Sequence, residues 1–191
     1  KVMFKRHDLA IINRSFWPTG LTIGESLLQL GEKTINNNKS VVIISQSSKN
    51  LDRISEESGR GKGANFKACI SRSNSSTNMY YRIFDLLIFT FWVIWSLILT
   101  RPKNIYVSTD PPLLIPFVVF LYSKIFRSSY VYHLQDIHPE AGKKIIKLNS
   151  IILAFFKKID GVVIRNASSI ITINETMRNE ILDRSKTKSH I

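Results

Sequence analysis

The densest group of ionisable side chains is the segment QDIHPE, from Gln135 to Glu140, with two carboxylates and an imidazole. Asp136 and His138, two positions apart, can act as a general base or bind the hydroxyl groups of a ligand. The same residues can equally form an Asx turn beside a surface histidine, and Pro139 favours ordinary loop geometry. The spacing alone leaves both interpretations open.

A second candidate is the segment NRSFWPTG with the LTIG that follows it, which places Gly20 and Gly24 near a predicted helix start. Backbone amides at a helix N-terminus carry partial positive charge and can bind a phosphate. The alternative is a plain turn between a strand and a helix. The dinucleotide pattern GxGxxG is absent, so no nicotinamide or flavin cofactor is expected.

Metal and hydrolase chemistry find little support. His133 and Asp136 form only a sparse HxxD pair, and no cluster of Cys or His accompanies them, so no metal is predicted. His133 falls in a predicted strand, where a packed histidine is the simpler interpretation. Ser15, Ser108 and Thr109 lack the GxSxG pattern of a nucleophile elbow. The piece GRGKG lacks the flanking elements of a P-loop.

Short apolar runs, several of them rich in β-branched residues, predict the strands that would position these loops. The predicted strands are Asp8–Asn13, Val41–Ser45, Ala64–Ile70, Asn104–Thr109, Ser129–Gln135 and Ser169–Ile173. Helical segments alternate with them, which predicts an α/β fold with a doubly wound parallel sheet. Ligands of such sheets bind beyond the carboxyl ends of strands. Segments 13–20, 109–112 and 136–140 meet that condition.

The connecting segments contain helix start and stop signals. Thr22 and Glu25 have the spacing of a capping box, and Asn174 can cap the last helix. Further helices are predicted at Met79–Thr100, Leu113–Arg127, Lys143–Arg165 and Glu175–Asp183. Gln46–Gly63 is rich in Ser, Gly, Lys and Glu and is predicted to be a solvated loop.

Composition restricts the partners. The 191 residues include 27 Lys and Arg against 14 Asp and Glu, a formal charge of +13 that is spread along the chain. Such a chain favours anionic partners, but the even spread and the lack of a recognised motif argue against a nucleic-acid-binding domain. The single cysteine, Cys69, excludes an internal disulfide, fits a reducing compartment and is predicted to be a small buried apolar residue.

The most hydrophobic segment, Leu86–Leu99, has 14 uncharged residues between Asp85 and Arg101. This is shorter than the roughly 20 residues of a membrane span, and the run Leu113–Ser123 is interrupted by Pro116. The aromatic-rich helix can pack on the sheet or lie in a bilayer interface. Together with the positive charge it predicts peripheral association with an anionic membrane surface, weakened by salt.

Four motifs occur in an order that resembles a known family. They are WPTG–LTIG, TDPPLL at Thr109–Leu114, QDIHPE at Gln135–Glu140 and ASSIITINETMRNEI at Ala167–Ile181. Together they resemble the N-terminal half of family-4 glycosyltransferases with the GT-B fold, particularly those of bacterial surface-polysaccharide synthesis. The resemblance extends from about residue 8 to residue 183.

The resemblance implies a Rossmann-like acceptor-side domain over residues 1–185, with residues 186–191 beginning a linker to a donor-binding domain that the sequence does not contain. Family members move a sugar from a nucleotide-sugar donor with retention and without a metal or other cofactor. The implied acceptor is a lipid-pyrophosphate-linked glycan, which the basic charge suits, and the implied sugar is a hexose or N-acetylhexosamine. The chain alone is expected to be inactive.

The resemblance also assigns site residues. Asp136 and His138 would face the reacting sugar or acceptor as catalytic residues, and Gly20 would lie near the donor diphosphate. Thr19–Gly20 stand where many members carry paired glycines. The implied substrate-binding residues are Thr19, Gly20, Asp110, Gln135 and Glu140.

The expected location is cytoplasmic, peripheral at the inner face of the cell membrane. An alternative function is a non-catalytic, membrane-associated subunit or scaffold that recruits a separate donor-domain chain.

Overall fold

The computed structural model describes residues 6–70, 78–135 and 150–185. Six strands lie within this part of the chain: β1 (Leu9–Ser15), β2 (Val41–Gln46), β3 (Asn65–Cys69), β4 (Asn104–Ser108), β5 (Ser129–Leu134) and β6 (Ser169–Thr172). The helices there are α1 (Leu21–Asn36), α2 (Leu51–Ser58), α3 (Met79–Thr100), α4 (Leu114–Phe126), α5 (Ser150–Asn166) and α6 (Glu175–Ser185).

The strands form a parallel sheet in the order β3-β2-β1-β4-β5-β6. This is the order of a classic doubly wound Rossmann sheet, so the predicted α/β fold class is confirmed. All six predicted strands are present, with ends within two residues of the predicted ones. The chain divides into two compact units, one reaching Ile105 and the other beginning at Tyr106.

In the first unit, β1 pairs with β2 and β2 with β3, so that Ile11 lies opposite Ile43 and Ile43 opposite Phe66. The inner strands consist mostly of consecutive apolar residues because both faces of a parallel sheet are covered. The start of β1 is held by Asp8, whose carboxylate accepts hydrogen bonds from the Ser40 backbone N–H at 3.0 Å and from Lys103 at 2.7 Å.

In the second unit, β5 pairs with β6, and Tyr132 lies opposite Ile170. Tyr132 is fully buried, and its hydroxyl donates to a carboxylate oxygen of the equally buried Asp160 at 3.4 Å. Burial raises the pKa of Tyr132 well above its ordinary value, so the hydroxyl remains a donor. The predicted cap of the last helix is confirmed, because Asn174 accepts from the Met177 N–H at 2.8 Å.

The prediction of a solvated loop over Gln46–Gly63 was wrong, since α2 lies inside it. The side chain of Asn50 caps this helix by accepting from the Arg53 N–H at 3.1 Å. Leu51 is buried, and the helix ends at Gly59, whose φ of 73° is the left-handed conformation that favours glycine. One apolar anchor in eight residues is too weak a pattern to mark a helix in the sequence.

The predicted capping box at the start of α1 was also wrong. The helix begins at Leu21 with Gly20 as its N-cap, one residue before Thr22, and no side chain caps it. Glu25 instead accepts hydrogen bonds from Arg60 at 2.7 Å and from Gln29 at 3.0 Å. The helix begins earlier than predicted because the Gly20 N–H donates to the Phe16 carbonyl, and this backbone hydrogen bond closes the turn directly before Leu21.

The buried state predicted for Cys69 is confirmed. Burial raises the pKa of its thiol to about 11, so the thiol stays protonated at neutral pH. The predicted bounds of α3 are confirmed as well, and its 22 residues make it long and apolar enough to cross a membrane by length and composition. That corrects the expectation that the segment is too short, which counted only the uncharged core.

Candidate functional site

In a parallel sheet, the loops that follow the carboxyl ends of the strands are the usual ligand-binding positions. In the first unit these are the turn after β1 and the loop after β2, and in the second unit the loop after β4 and Gln135 directly after β5. The predicted site residues lie in these loops: Thr19 and Gly20 in the first unit, Asp110 and Gln135 in the second. Asp136, His138 and Glu140 lie outside the described residues.

The turn after β1 is organised around the backbone carbonyl of Phe16, whose side chain is buried. The Gly20 N–H donates to this carbonyl at 2.8 Å, and the Thr19 hydroxyl donates to it at 3.2 Å. Both predicted residues therefore make contacts inside the turn. The hydroxyl of the exposed Thr19 can still rotate towards a ligand.

Close packing requires glycine at Gly24 and leaves little room for a side chain at Gly20. A Cβ atom at Gly24 would lie 2.5 Å from the backbone nitrogen of Trp17 and 2.8 Å from the carbonyl carbon of Phe16. One at Gly20 would lie 3.1 Å from the carbonyl carbon of Ser15. The first turn of α1 thus packs directly on the backbone that precedes it, a close approach only glycine permits.

The start of α1 is suited to an anion. Its first turn holds no acidic residue, and its cap makes no side-chain hydrogen bond. The N–H groups of Leu21, Thr22 and Ile23 precede the first possible acceptor within the helix, so they point outward with partial positive charge. A phosphate group is the ligand such a helix start binds best.

A polar cluster that the sequence analysis missed lies at the ends of β1 and β2. The Arg14 guanidinium donates to the side-chain oxygen of Gln46 at 2.6 Å and to the Asp85 carboxylate at 3.0 Å. The Asp85 side chain is 2% exposed and that of Arg14 is 25% exposed. The available signal was the position of Asp85, the one acidic residue of the apolar helix α3.

A groove of about 460 Å³ opens beside the loop after β2. Its lining residues include Ser47, Lys49, the cap residue Asn50, Asp52, Lys67 and Trp92. The Trp92 N–H donates to the Lys67 carbonyl at 3.0 Å, which fixes the orientation of the ring. Hydrogen-bonding groups beside an aromatic ring and two cations suit a polar or anionic ligand.

In the second unit, Thr109 ties the ends of β4 and β5 together. Its backbone N–H donates to the His133 carbonyl at 3.2 Å, and its hydroxyl oxygen accepts from the Gln135 N–H at 3.1 Å. Because Asp110 follows Thr109 directly, two of the predicted substrate-binding residues, Asp110 and Gln135, lie at the same end of these strands. Both are half-buried.

Gln135 is one of several described residues with a buried side-chain atom that lacks a hydrogen-bond partner, together with Ser45 and Gln46 on β2 and Ser96 on α3. The side-chain amide nitrogen of Gln135 is buried and has no acceptor among the described residues. Nearly all buried donors in folded proteins are paired, because an unpaired one costs about 1–3 kcal/mol. A ligand oxygen at the end of β5 would satisfy this donor.

His133 is a packed histidine, as its place in a strand indicated. Its Nδ1 lies 2.7 Å from the Tyr106 hydroxyl, and the two rings meet edge to face at 5.8 Å. Burial lowers the pKa of His133 and raises that of Tyr106 to about 12, so both are neutral at pH 7. Within the described ranges, no group of three or more potential ligands could hold a metal ion.

Comparison with known proteins places the chain by fold. No family model and no curated protein sequence matches it. Among solved structures, the chain is similar to Anabaena Alr3699/HepE in complex with UDP, with 14% identity and a TM-score of 0.52 over 95% of this chain and 43% of that one.

A second similarity is to Arabidopsis thaliana UGT89C1. The structure with UDP-L-rhamnose gives 11% identity and a TM-score of 0.55 over 98% of this chain and 47% of that one. The structure with quercetin gives 11% identity and 0.55 over 97% and 48%. The chain thus spans about half the length of these neighbours, and it has the fold of one Rossmann-like half of a GT-B glycosyltransferase.

Proposed function

We propose that the chain is the acceptor-side half of a retaining glycosyltransferase. It would take part in moving a hexose or N-acetylhexosamine from a nucleotide-sugar donor to a lipid-pyrophosphate-linked glycan in surface-polysaccharide synthesis. The observation that carries this proposal is the fold, since the Rossmann strand order and the coverage of about half of two structures solved with UDP or UDP-L-rhamnose coincide.

The described loops support a substrate role for the carboxyl edge. The acid-free start of α1 suits a diphosphate, in keeping with the proposed position of Thr19 and Gly20 near the donor. The buried Gln135 amide lacks an acceptor among the described residues, and Asp110 lies at the same strand ends. A sugar ring supplies the oxygen acceptors that this donor requires.

The groove beside α2 is the proposed place for the acceptor. Lys49 and Lys67 complement a pyrophosphate, and the Trp92 indole offers an apolar face to a sugar ring. The formal charge of +13 attracts the same anionic acceptor at long range as it approaches the protein.

Catalysis is assigned to the segment after β5. In this proposal Asp136 and His138 face the reacting groups, one of them moving a proton, while Glu140 binds substrate and Pro139 shapes the loop. The assignment is supported by their place directly after Gln135, at the end of a strand where ligands of such sheets bind.

A second Rossmann-like half, on the same or another polypeptide, would bind the nucleotide-sugar, and the 191 residues alone would not transfer sugar. The proposed location is the cytoplasmic face of the membrane. The alternative is a non-catalytic scaffold that recruits a donor-domain chain, which the same fold would also serve.

The test combines acceptor binding and transfer. The chain is titrated with a polyprenyl-pyrophosphate-linked sugar in detergent, and transfer of a labelled sugar from nucleotide-sugars is measured with and without the donor half. We expect acceptor binding to weaken at least tenfold in Lys49→Ala/Lys67→Ala but not in the control Lys33→Ala on α1. We also expect transfer only when both halves are present.

If the chain neither binds the acceptor nor supports transfer under these conditions, the proposal is overturned. Transfer that needs the chain yet is unchanged by Asp136→Asn and His138→Ala together would favour the scaffold.

A further inference from the structure

Helix α3 buries four polar side chains. Its buried side, which faces the strands of the first unit, carries Asp85, Thr90, Ser96 and Thr100 beside the apolar Phe89, Val93 and Leu97. Two of these hydroxyls bond within the helix, Thr90 to the Leu86 carbonyl at 2.8 Å and Thr100 to the Ser96 carbonyl at 2.7 Å. A helix at a water-exposed surface has the opposite arrangement, with polar residues outside.

The other side of α3 is a continuous stripe of large apolar and aromatic side chains. Its members, here called the outer stripe, are 40% to 81% exposed and recur every three or four residues: Tyr80, Phe84, Leu87, Phe91, Trp95 and Ile98. Single exposed apolar residues are ordinary, but a continuous patch of this length marks a surface that meets another apolar phase.

The orientation of α3 is specified by a buried ion pair. Since the helix is apolar nearly all round, hydrophobic burial alone distinguishes its two sides weakly. Asp85 removes the ambiguity, because its carboxylate is 3.0 Å from Arg14 and its side chain is 2% exposed. Rotating the outer stripe inward would separate a buried charge from its partner, which is strongly unfavourable.

The exposed charge at the C-terminal end of the outer stripe is positive. The guanidinium of Arg6 donates to the Arg101 carbonyl at 3.2 Å, which brings two exposed arginines to this end of the helix. Asp85, the one acid of α3, is buried against Arg14. An apolar stripe with tyrosine, tryptophan and flanking arginines complements an anionic lipid surface.

We propose that the outer stripe inserts into the headgroup–acyl boundary of an anionic lipid bilayer, with α3 parallel to the membrane plane and Arg6 and Arg101 on acidic headgroups. The occupant of this face is therefore lipid. The helix remains part of the first unit, because leaving it would strand Arg14 and Asp85. This inference rests on the membrane location proposed above and not on sugar transfer.

Vesicle cosedimentation of the full chain tests the inference. Vesicles of phosphatidylcholine with 30% phosphatidylglycerol, about the anionic share that draws basic segments, are compared with phosphatidylcholine alone at low and high salt. The variant Leu87→Ser/Phe91→Ser removes the centre of the outer stripe. Ile125→Ser on α4 is the matched control, because Ile125 is 73% exposed outside the stripe.

The chain is expected to bind the anionic vesicles, and the affinity should fall at least tenfold in Leu87→Ser/Phe91→Ser and less than twofold in Ile125→Ser. Arg6→Ala/Arg101→Ala should reduce the preference for anionic vesicles. Melting temperatures within about 2 °C would show that the variants are folded. As a second readout, brominated lipids should quench the fluorescence of the chain, and Trp95→Phe should remove most of the quenching.

Four results would overturn the inference. The first is equal binding by Leu87→Ser/Phe91→Ser and the unaltered chain, and the second is no binding to anionic vesicles at low salt. The third is resistance to carbonate extraction, which would indicate a spanning helix. The fourth is a dimer that the same variant dissociates without any vesicle binding, which would make a second copy the occupant. Transfer to a detergent-dispersed acceptor is measured separately, so the two proposals can fail independently.

Discussion

The turn after β1 and the residues after β4 and β5 all lie at the carboxyl ends of their strands. They differ in how many of their polar groups already have partners within the protein. In the turn, backbone packing requires Gly24 and leaves little room at Gly20, and the Thr19 hydroxyl already donates to Phe16. At the end of β5, the buried amide of Gln135 has no acceptor within the described chain.

The difference shows which signal informs about a ligand. Glycines after a first strand resemble a phosphate-binding turn, but here close packing already accounts for them. A buried donor without an acceptor has no such structural explanation, because it costs stability in the absence of a partner. Gln46 and Ser96 also carry buried polar atoms without a partner among the described residues. Gln135 therefore points to a ligand through two features together, the unpaired amide and its place at the carboxyl end of a strand. The helix start beside Gly20 remains suited to a phosphate.

The largest effect on stability is expected from Gly24→Ala. The new Cβ would lie 2.5 Å from the Trp17 backbone nitrogen, so the turn must shift. Overpacking of this kind costs about 3 kcal/mol, or roughly 6–12 °C in melting temperature for a chain of this size. The control is Gly31→Ala on the same helix, where the nearest atoms are side-chain carbons at 3.7 Å.

Gly31→Ala should leave the melting temperature unchanged or raise it, since alanine is favoured over glycine inside a helix by about 0.5–1 kcal/mol. Equal melting temperatures for the two variants would show that the turn does not depend on a close backbone approach.

A smaller effect on stability is expected when the pH is lowered and His133 is protonated. Burial lowers its pKa below the ordinary 6.5, so the unfolded chain takes up the proton more readily than the folded one. The stability contribution is therefore complete above about pH 6.5 and is lost as the pH falls below it. His133→Gln, which keeps a group able to bond Tyr106, should flatten the dependence of the urea midpoint between pH 7.5 and 5.5. An unchanged slope would contradict this account.

The smallest effect on stability is expected from Gln135→Ala. Removing an amide without an acceptor should leave the melting temperature unchanged or raise it, while sugar transfer by the combined halves falls about tenfold, the worth of one hydrogen bond. Asn174→Ala is the control, because this cap of α6 contributes about 1 kcal/mol to stability and has no proposed contact with substrate. Equal losses of transfer in both variants would remove Gln135 from the site.

The strands were predictable because apolar, often β-branched runs such as Val41–Ile44 leave few alternatives in a chain with alternating helices. Helix α2 was not predictable, since its formation depends on the Asn50 cap and one buried leucine. The start of α1 depended on backbone bonds of the preceding turn, which side-chain spacing does not report.

The position of two candidate residues in the fold was predictable. Asp110 and Gln135 were expected from the resemblance, and the structure brings them to neighbouring strand ends through Thr109. The missing acceptor of Gln135 depends on what surrounds it in space, so no sequence pattern could indicate it. The same holds for the exposed side of α3, which follows from the pairing of Asp85 with Arg14 across 71 positions.

The central claim, that the loops at the carboxyl ends serve sugar transfer, is tested most directly by comparing turnover and melting temperature for Asp136→Asn in the complete transferring enzyme. The account predicts a loss of turnover of at least tenfold with a melting temperature within about 2 °C of the unaltered protein, because we expect a residue that directly follows a strand in the sequence to support few core contacts. Full turnover, or a melting temperature that falls together with activity, would contradict it.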